Sequence, residues 1–238
     1  MTAPLAIIRP EPGWRASAAA ARALGLDVIG APLFAVSPAA WEVPDAATID
    51  AVVLGSANAL RYGGDGLAGL RALPAYAVGA ATAAAARAAG FRVVAAGADD
   101  LQALAGTIDP AHRRLLRLSG RDRGSFTPPP GTMVIDRTVY AAETLPLPRD
   151  FAAALRDRAV IALHSPRAAR HFAAECDRIG IDRSRHAVAA LAGRVAAAVG
   201  HGWDAARVAD VPTDAALLAL AAEMCKTARP NTNKSPGP

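Results

Sequence analysis

The sequence has 238 residues, of which 53% are hydrophobic, 20% charged and only 5% aromatic. This balance excludes an intrinsically disordered chain and provides enough apolar material for one large domain or two of modest size. The formal net charge of +5 favours an anionic partner. Aromatic residues are too scarce for base-stacking platforms and no long Lys/Arg run is present, so nucleic acid is not expected. A polycarboxylate ligand fits the charge, as does a surface of solvated arginines.

Strands and helices alternate along the chain. In the first half we predict strand 5–9, helix 14–24, strands 27–34 and 51–54, a helix from Ser56, strand 75–78, helix 80–89 and strand 91–95. In the second half we predict strands 115–118 and 133–140, helix 151–158, strand 160–164, helix 166–179, strand 187–191, helix 194–200, strand 207–209 and helix 213–225. Apolar strands alternating with helices indicate an α/β fold with parallel sheets covered on both faces.

A strand–turn–helix pattern occurs twice. Residues 50–61 (DAVVLGSANALR) and 159–170 (AVIALHSPRAAR) each end an apolar strand at a serine that opens a helix. Residues 75–86 and 187–198 repeat the order strand, glycine turn and alanine-rich helix. The pattern indicates two similar α/β domains, although any alanine-rich βα protein resembles itself to some degree.

Proline placement indicates how the two domains are connected. The stretches 31–33 (APL) and 145–148 (LPLP) suit extended crossings, because proline disfavours helix. We therefore predict a first domain from 1–34 and 145–226, a middle domain at 37–137 inserted into it, and a two-stranded connector between them. The polar segment 227–238 is predicted to be a disordered tail.

The cysteines, histidines and amino terminus exclude several classes of protein. Cys176 and Cys225 lie in helical patterns without CxxC spacing and are interpreted as reduced apolar residues. The five histidines show no metal-ligand pair, so no metal site is expected. No signal peptide pattern and no apolar run of about 18 residues is present. These features predict a cytoplasmic protein that does not enter a membrane.

Candidate binding residues follow the predicted strands, because ligands of such sheets bind at the carboxyl ends of the strands. Arg9 and Pro10 end the first strand, where the guanidinium could bind a carboxylate or be a solvated side chain at a turn. Ser56 and Ser165 are predicted helix N-caps, and the helix starts they cap also suit an anion.

Further candidates come from glycine turns and a tyrosine. Gly79 permits close backbone approach after a strand, but its turn is too short for a dinucleotide fingerprint. Gly120 and Arg121 follow another strand and suit a carboxylate or phosphate. Tyr140, in the predicted connector, could donate a proton to a leaving group or be simply half-buried.

In this order, the motifs resemble those of uroporphyrinogen-III synthases over about residues 6–220. The matching stretches are IRPE at 8–11, APL at 31–33, AVVLGSANA at 51–59, YAVGAAT at 76–82, GR at 120–121, VY at 139–140, HSPRA at 164–168 and PT at 212–213. Two positions depart from the family pattern. Gly55 replaces a threonine or similar polar residue, and LAGRV at 191–195 replaces a glycine–proline–threonine turn, so Arg194 is expected to supply a charge there.

The resemblance implies a cofactor-free enzyme with two α/β domains and a site in the cleft between them. The implied substrate is hydroxymethylbilane, a linear tetrapyrrole with eight carboxylates, which the enzyme dehydrates and closes with inversion of ring D. The family's connector tyrosine, proposed to assist departure of the hydroxyl, corresponds to Tyr140. The candidate substrate-binding residues are Arg9, Pro10, Ser56, Ala57, Asn58, Gly79, Thr82, Gly120, Arg121, Ser165, Arg167, Gly193 and Arg194.

Two further expectations concern partners and the alternative function. We expect a monomer that makes at most transient contact with the enzyme supplying its substrate. The competing function is a non-catalytic two-lobed binding protein for an anionic metabolite, which would share the basic turns.

Overall fold

Short apolar runs form the strands of the protein, and alanine-rich stretches form its helices. The computed structural model describes residues 2–97 and 101–227. The strands are β1 (Leu5–Ile7), β2 (Val28–Ile29), β3 (Phe34–Pro38), β4 (Ala51–Leu54), β5 (Pro74–Val78), β6 (Arg92–Gly97), β7 (Arg114–Gly120), β8 (Met133–Thr144), β9 (Val160–Leu163), β10 (Ala187–Ala190) and β11 (Ala205–Val208). The α-helices are α1 (Gly13–Ala23), α2 (Ala57–Tyr62), α3 (Gly79–Ala88), α4 (Leu101–Ala105), α5 (Arg149–Ala154), α6 (Pro166–Ile179), α7 (Gly193–Val199) and α8 (Asp214–Thr227).

The chain divides into two compact units. The first contains the described residues of Met1–Ala35 and Glu143–Pro238, and the second is Val36–Ala142. The chain passes between the units in β3 and β8, which are neighbours in one sheet. The Leu145 N–H donates to the Leu33 carbonyl (2.9 Å) and the Ala39 N–H to the Val139 carbonyl (3.0 Å), so the two strands are antiparallel. This pair is the two-stranded connector of the predicted fold class.

The first unit is a five-stranded parallel sheet with the order β11-β10-β9-β1-β2. Successive residues of a strand point to opposite faces, so β1 serves both layers of the core. Leu5 and Ile7 pack with residues of α1 and α8. Ala6 and Ile8 pack with residues of α5, α6 and α7 on the other face. Burial on both faces explains why the strands are continuous apolar runs.

The second unit is a six-stranded sheet with the order β3-β8-β7-β4-β5-β6. Strands β8, β7, β4, β5 and β6 pair in parallel. In β4, Val52 and Leu54 face one core layer and Ala51 and Val53 the other. The α/β class with parallel sheets is therefore confirmed, and the connector strand β3 extends the second sheet at its edge.

One predicted strand is divided in two. Residues 27–34 were expected to be continuous, but β2 ends at Ile29 and β3 begins at Phe34. Gly30 between them has φ +110°, which an L side chain rarely adopts. A Cβ on Gly30 would lie 2.3 Å from the Ile7 carbonyl oxygen, so the chain turns where it touches β1. The apolar pattern continues through this turn and concealed it.

Several other boundaries also differ from the prediction, among them those of α5, β11 and α8. Helix α5 begins at Arg149 directly after Pro148 and ends at Ala154, four residues before the predicted end. Strand β11 begins at Ala205, two residues earlier than predicted. Helix α8 continues through Thr227, the first residue of the predicted tail, and the remainder of that tail, residues 228–238, lies outside the described residues.

The helices of residues 2–97 and 101–227 include none with the length and apolar character needed to cross a membrane. In the same residues, His, Cys, Asp and Glu side chains form no cluster of three or more that could hold a metal ion.

Candidate functional site

Each sheet has one point where the strand order reverses, and a crevice opens there at the carboxyl ends of the strands. In the first unit, β2 lies on one side of β1 and the later strands begin with β9 on the other. In the second unit, β5 and β6 lie on one side of β4, and β7 and β8 lie on the other. The segments that follow β1, β9, β4 and β7 therefore line the two crevices.

In the second unit, Tyr140 and Gly120 form a close pair. They are register partners of β8 and β7, next to an irregularity between Ser119 and Gly120. A Cβ on Gly120 would lie 2.6 Å from Cε2 and 3.0 Å from the hydroxyl oxygen of Tyr140, so the ring lies directly over the glycine. The Arg121 N–H donates to the Tyr140 carbonyl (3.0 Å). Such an irregularity can re-aim a side chain, and here the half-buried Tyr140 ring packs over Gly120.

Ser56 lies at the carboxyl end of β4, the strand next to β7. Its backbone is extended (φ −159°), and its Oγ accepts a hydrogen bond from the Asn58 N–H (3.2 Å), so the predicted N-cap is present. The Asn58 Oδ1 accepts a hydrogen bond from Arg61 (2.9 Å), and Ala57 is half-buried at the start of α2.

Gly79 lies at the carboxyl end of β5, the next strand along the sheet. Its φ of +74° requires glycine, and it begins α3. Thr82 belongs to the same helix but is 7% exposed, so it packs in the core. The Thr82 hydroxyl is therefore less accessible to a ligand than the backbone N–H groups of the turn are.

In the first unit, Arg9 belongs to a hydrogen-bonded network at the ends of β1 and β9. Its Nη1 donates to the Ser17 Oγ (3.0 Å) and to the Asp214 Oδ1 (3.1 Å). The Ser17 hydroxyl donates to the Asp214 Oδ2 (2.8 Å), and the His164 Nε2 lies 2.7 Å from the Asp214 Oδ1. Since an ionised carboxylate can only accept, His164 donates from Nε2. Arg9 is thus not the solvated arginine that the sequence allowed.

The network shifts the acid–base properties of its members. Burial lowers the pKa of His164 below its usual value, although the hydrogen bond to Asp214 opposes the shift. Burial alone would raise the pKa of Asp214, but the hydrogen bonds from His164 and Ser17 and the charge of Arg9 hold it below its usual value. His164 is therefore neutral at neutral pH, and its Nδ1 is buried without a hydrogen-bond partner among the described residues.

We expect the free energy of unfolding to fall as the pH is lowered from 7 to 5. Burial depresses the pKa of both His164 and His186 in the folded chain, so the unfolded chain binds protons first. This contribution to the free energy of unfolding is fully present at pH values above the histidine pKa of the unfolded chain. It is lost as the pH falls below that pKa. In urea titrations, His164→Gln should make this loss measurably smaller, because the buried imidazole is removed. The exposed His201→Gln is the control, and an equal effect of both substitutions would contradict the assignment.

The remaining candidates of the first unit lie at the ends of β1, β9 and β10. Pro10 is half-buried and accepts the Trp14 N–H through its carbonyl (3.1 Å). Ser165 caps α6, its Oγ accepting from the Ala168 N–H (3.1 Å). The Arg167 guanidinium lies 5.1 Å from the centre of the Phe34 ring.

Gly193 and Arg194 are exposed at the first turn of α7, directly after β10. They are the candidates of the first unit with the most open surroundings. Arg194 can therefore present a positive charge at this edge, as the departure from the family turn suggested.

The densest group of arginines in the sequence, which does not form one basic patch, consists of Arg113, Arg114, Arg117, Arg121 and Arg123. Arg114 pairs with Asp50 (2.6 Å) at the start of β7. Arg117 is only 6% exposed, and it donates to the Gly124 carbonyl (2.6 Å) and lies 3.7 Å from Asp136. Residues alternate across a strand, so these charges separate to different surfaces, and Arg121 remains at the carboxyl edge.

The structure thus collects the candidates into two groups, one at the carboxyl edge of each sheet. The second unit contains Ser56, Ala57, Asn58, Gly79, Gly120, Arg121 and Tyr140. The first unit contains Arg9, Pro10, Ser165, Arg167, Gly193 and Arg194.

Three residues of the Arg9 network were not among the candidates. His164 directly precedes Ser165, and its position at a strand end was the available signal. Asp214 lies in the first turn of α8, where a negative charge is favourable by itself, so its position in the sequence does not point to a network. Ser17 lies inside α1, and nothing in the sequence indicates that its hydroxyl faces Asp214.

These features define a protein of two doubly wound α/β units, one inserted into the other. The family model for uroporphyrinogen-III synthase HemD matches residues 15–219. The chain belongs to this family, whose members are lyases of haem biosynthesis, and the resemblance seen in the sequence is confirmed.

Solved structures show the same fold. The structure of uroporphyrinogen-III synthetase from Helicobacter pylori has a TM-score of 0.65 at 15% identity, covering 93% of this chain and 99% of that one. A mutant uroporphyrinogen III synthase from Thermus thermophilus has a TM-score of 0.51 at 18% identity, covering 92% and 97%. Comparison with curated protein sequences gave no match.

Proposed function

We propose that this chain converts hydroxymethylbilane into uroporphyrinogen III. In this reaction the C–O bond of the hydroxymethyl group breaks, and its carbon bonds to the α-carbon of ring D that already carries the neighbouring bridge. The bond from that α-carbon to the bridge breaks, and the bridge bonds to the other α-carbon of ring D, which loses its proton. Ring D is thereby inverted, and one water leaves overall. The family match over residues 15–219 is the observation that carries the proposal. The net charge of +5 adds support, because it attracts a substrate with many carboxylates.

In this proposal Tyr140 is the general acid. Its hydroxyl gives a proton to the departing hydroxyl group, which leaves as water, and regains a proton from the carbon that forms the new bond. The position of the ring over Gly120 supports this role, because it places the phenol at the carboxyl edge of β7 and β8. The hydroxyl makes no hydrogen bond within the described part of the chain, so it is available to a ligand.

The carboxylates of the substrate are proposed to bind at the strand ends. Exposed Arg121 and Arg194 contribute charge, and the turns at Ser56 and Gly79 contribute backbone N–H groups. Arg9 uses Nη1 for Ser17 and Asp214, which leaves Nε and Nη2 as the fork for a carboxylate.

Folding the substrate into one geometry is the larger part of the catalysis we propose. Hydroxymethylbilane is reactive and can close unaided, but to the wrong isomer. Holding the reacting ends together lowers the barrier only for the closure that matches the held geometry. Few catalytic side chains are then needed, which agrees with the composition of the strand ends.

The isomer composition of the product tests the function. The chain is incubated with hydroxymethylbilane, the products are oxidised, and the porphyrin isomers are separated. We expect type III to dominate with the native chain and type I with heat-denatured chain or buffer. An unchanged isomer ratio with folded chain would refute the function.

Two further parts of the proposal concern assembly. We propose that the chain acts as a monomer, and light scattering of the purified chain measures this directly. We also propose transient contact with the enzyme that supplies the substrate, because an unstable intermediate is best transferred quickly.

A further inference from the structure

A concave surface on the first unit lies away from the candidate substrate-binding residues. It has a volume of about 1110 Å³ and is formed by the segment around Leu147, one face of α5, the end of α6 and the loop before β10. Ser165 caps the start of α6, whereas the surface meets this helix at Ile179. At 1.5 Å per residue the two ends are roughly 20 Å apart. We call this surface the α5–α6 groove.

The α5–α6 groove is rich in arginine. Its lining contains Arg149, Arg156, Arg178 and Arg185 but only one acidic residue, Asp182. The guanidinium groups of Arg149 and Arg156 are exposed and make no hydrogen bond or ion pair with described side chains. An excess of unpaired positive charge in a concave surface favours a negatively charged partner.

A buried carboxylate holds two walls of the groove together. Glu175 is 8% exposed and accepts two hydrogen bonds from Arg178 (both 2.7 Å) and one from the Leu147 N–H (2.7 Å). The hydrogen bond from Arg178 is the main cause that lowers the pKa of Glu175 to about 2, so the carboxylate stays ionised. The groove is thus preformed, which reduces the entropic cost of binding.

The floor of the groove is apolar and contains no aromatic ring. Ile179 is 36% exposed and Ile181 is half-buried. The base of the groove is formed by Leu147, which lies between two prolines in the chain, and by Leu155. Protein–protein interfaces typically have an apolar core surrounded by a polar rim in which arginine is common, and the groove has this composition. Single-stranded nucleic acid would require aromatic rings for stacking, and the lining offers none.

We propose that the α5–α6 groove binds an acidic amphipathic helix of a partner protein. The apolar side chains of the helix, at i, i+3 or i+4 and i+7, would pack on Ile179 and Ile181. Its carboxylates would pair with Arg149 and Arg156, where guanidinium groups can form two parallel hydrogen bonds with one carboxylate. This binding function is independent of the proposed reaction.

Three synthetic fluorescent peptides test the proposal by anisotropy. The first is a helical peptide of about 14 residues, roughly 20 Å long, with leucine on one face and glutamate on the other. The second has lysine in place of glutamate, and the third has the same residues as the first in an order without an apolar face. We expect only the first to bind to the full-length native chain.

Charge-reversal variants locate the binding. Arg149→Glu together with Arg156→Glu should weaken binding of the acidic peptide at least about tenfold. Arg22→Glu on α1, which packs on the opposite face of the sheet, is the matched control and should leave binding unchanged. Thermal unfolding of each variant verifies the fold. If the double variant fails to fold, the single substitutions Arg149→Gln and Arg156→Gln, which remove a charge without reversing it, should each still weaken binding.

Several results would overturn the proposal. Equal binding of all three peptides, or no binding of the first, would exclude an amphipathic acidic partner. Displacement of the acidic peptide by inorganic triphosphate or a DNA 20-mer at similar concentrations would indicate a general polyanion site instead. Equal weakening by Arg22→Glu would place the binding elsewhere.

Turnover of hydroxymethylbilane should be the same in every groove variant.

Discussion

Replacement of Tyr140 by phenylalanine is expected to lower turnover of hydroxymethylbilane about a hundredfold while the folded structure is retained. A positioned general acid contributes at least this factor, and phenylalanine removes only the hydroxyl. The ring keeps its place over Gly120 and its contact with Tyr62, whose ring centre lies 6.3 Å away. Because the hydroxyl makes no hydrogen bond with described residues, its removal leaves no partner unsatisfied. Initial rates of product formation measure the first effect and thermal unfolding the second.

Tyr62→Phe is the matched control for this substitution. It removes a hydroxyl from the neighbouring ring of the same unit and should leave turnover within about twofold, because no catalytic step is assigned to it. A further readout is the isomer ratio. Tyr140→Phe should still yield mainly type III product, since substrate folding and proton donation are separate functions. Full turnover by Tyr140→Phe would remove the proposed acid.

The periodicity of the sequence predicted the architecture well because burial on both faces of a parallel sheet leaves long apolar strands. The division of 27–34 escaped prediction, since the cause is the close approach of Gly30 to the backbone of β1. Such an approach depends on which strand is the neighbour, and a linear pattern does not contain that information. The prolines at 31–33 and 145–148 predicted extended crossings for a local reason, their incompatibility with helix, and such local causes are readable from sequence.

The candidate site was predictable in position more than in chemistry. Strand ends could be identified from the end of each apolar run, so Ser56 and Ser165 were identified as N-caps, and both accept the expected backbone hydrogen bonds. The pairing of Arg9 with Asp214 joins residues 205 positions apart in the chain. Only the sheet order, with β1 beside β9, brings that arginine to His164 and Asp214. Long-range side-chain networks of this kind require the folded topology.

Gly120→Ala is expected to reduce turnover by at least about tenfold through Tyr140. The new Cβ would lie 2.6 Å from Cε2 of the Tyr140 ring, closer than nonbonded atoms allow, so the ring must move from its position. Gly120 has no positive φ, so the substitution introduces no backbone strain. A displacement of about 1 Å at a catalytic group costs up to a hundredfold in rate. The end of the ring can shift, so stability should fall by only about 1–2 kcal/mol.

A double-mutant cycle separates this displacement from other effects of Gly120. If the alanine acts by moving the phenol, then Gly120→Ala in the Tyr140→Phe background should cost little further turnover, because the hydroxyl it would misplace is already absent. If Gly120 instead contributes its backbone to substrate binding alone, the two losses should multiply and KM should rise in both backgrounds. Gly124→Ala on the following loop, where a Cβ meets no atom within 4 Å, is the control for adding a methyl group nearby. Losses that multiply would therefore disprove the assignment of Gly120 as the residue that positions Tyr140. The role of the Tyr140 hydroxyl is tested separately, by the single substitution Tyr140→Phe.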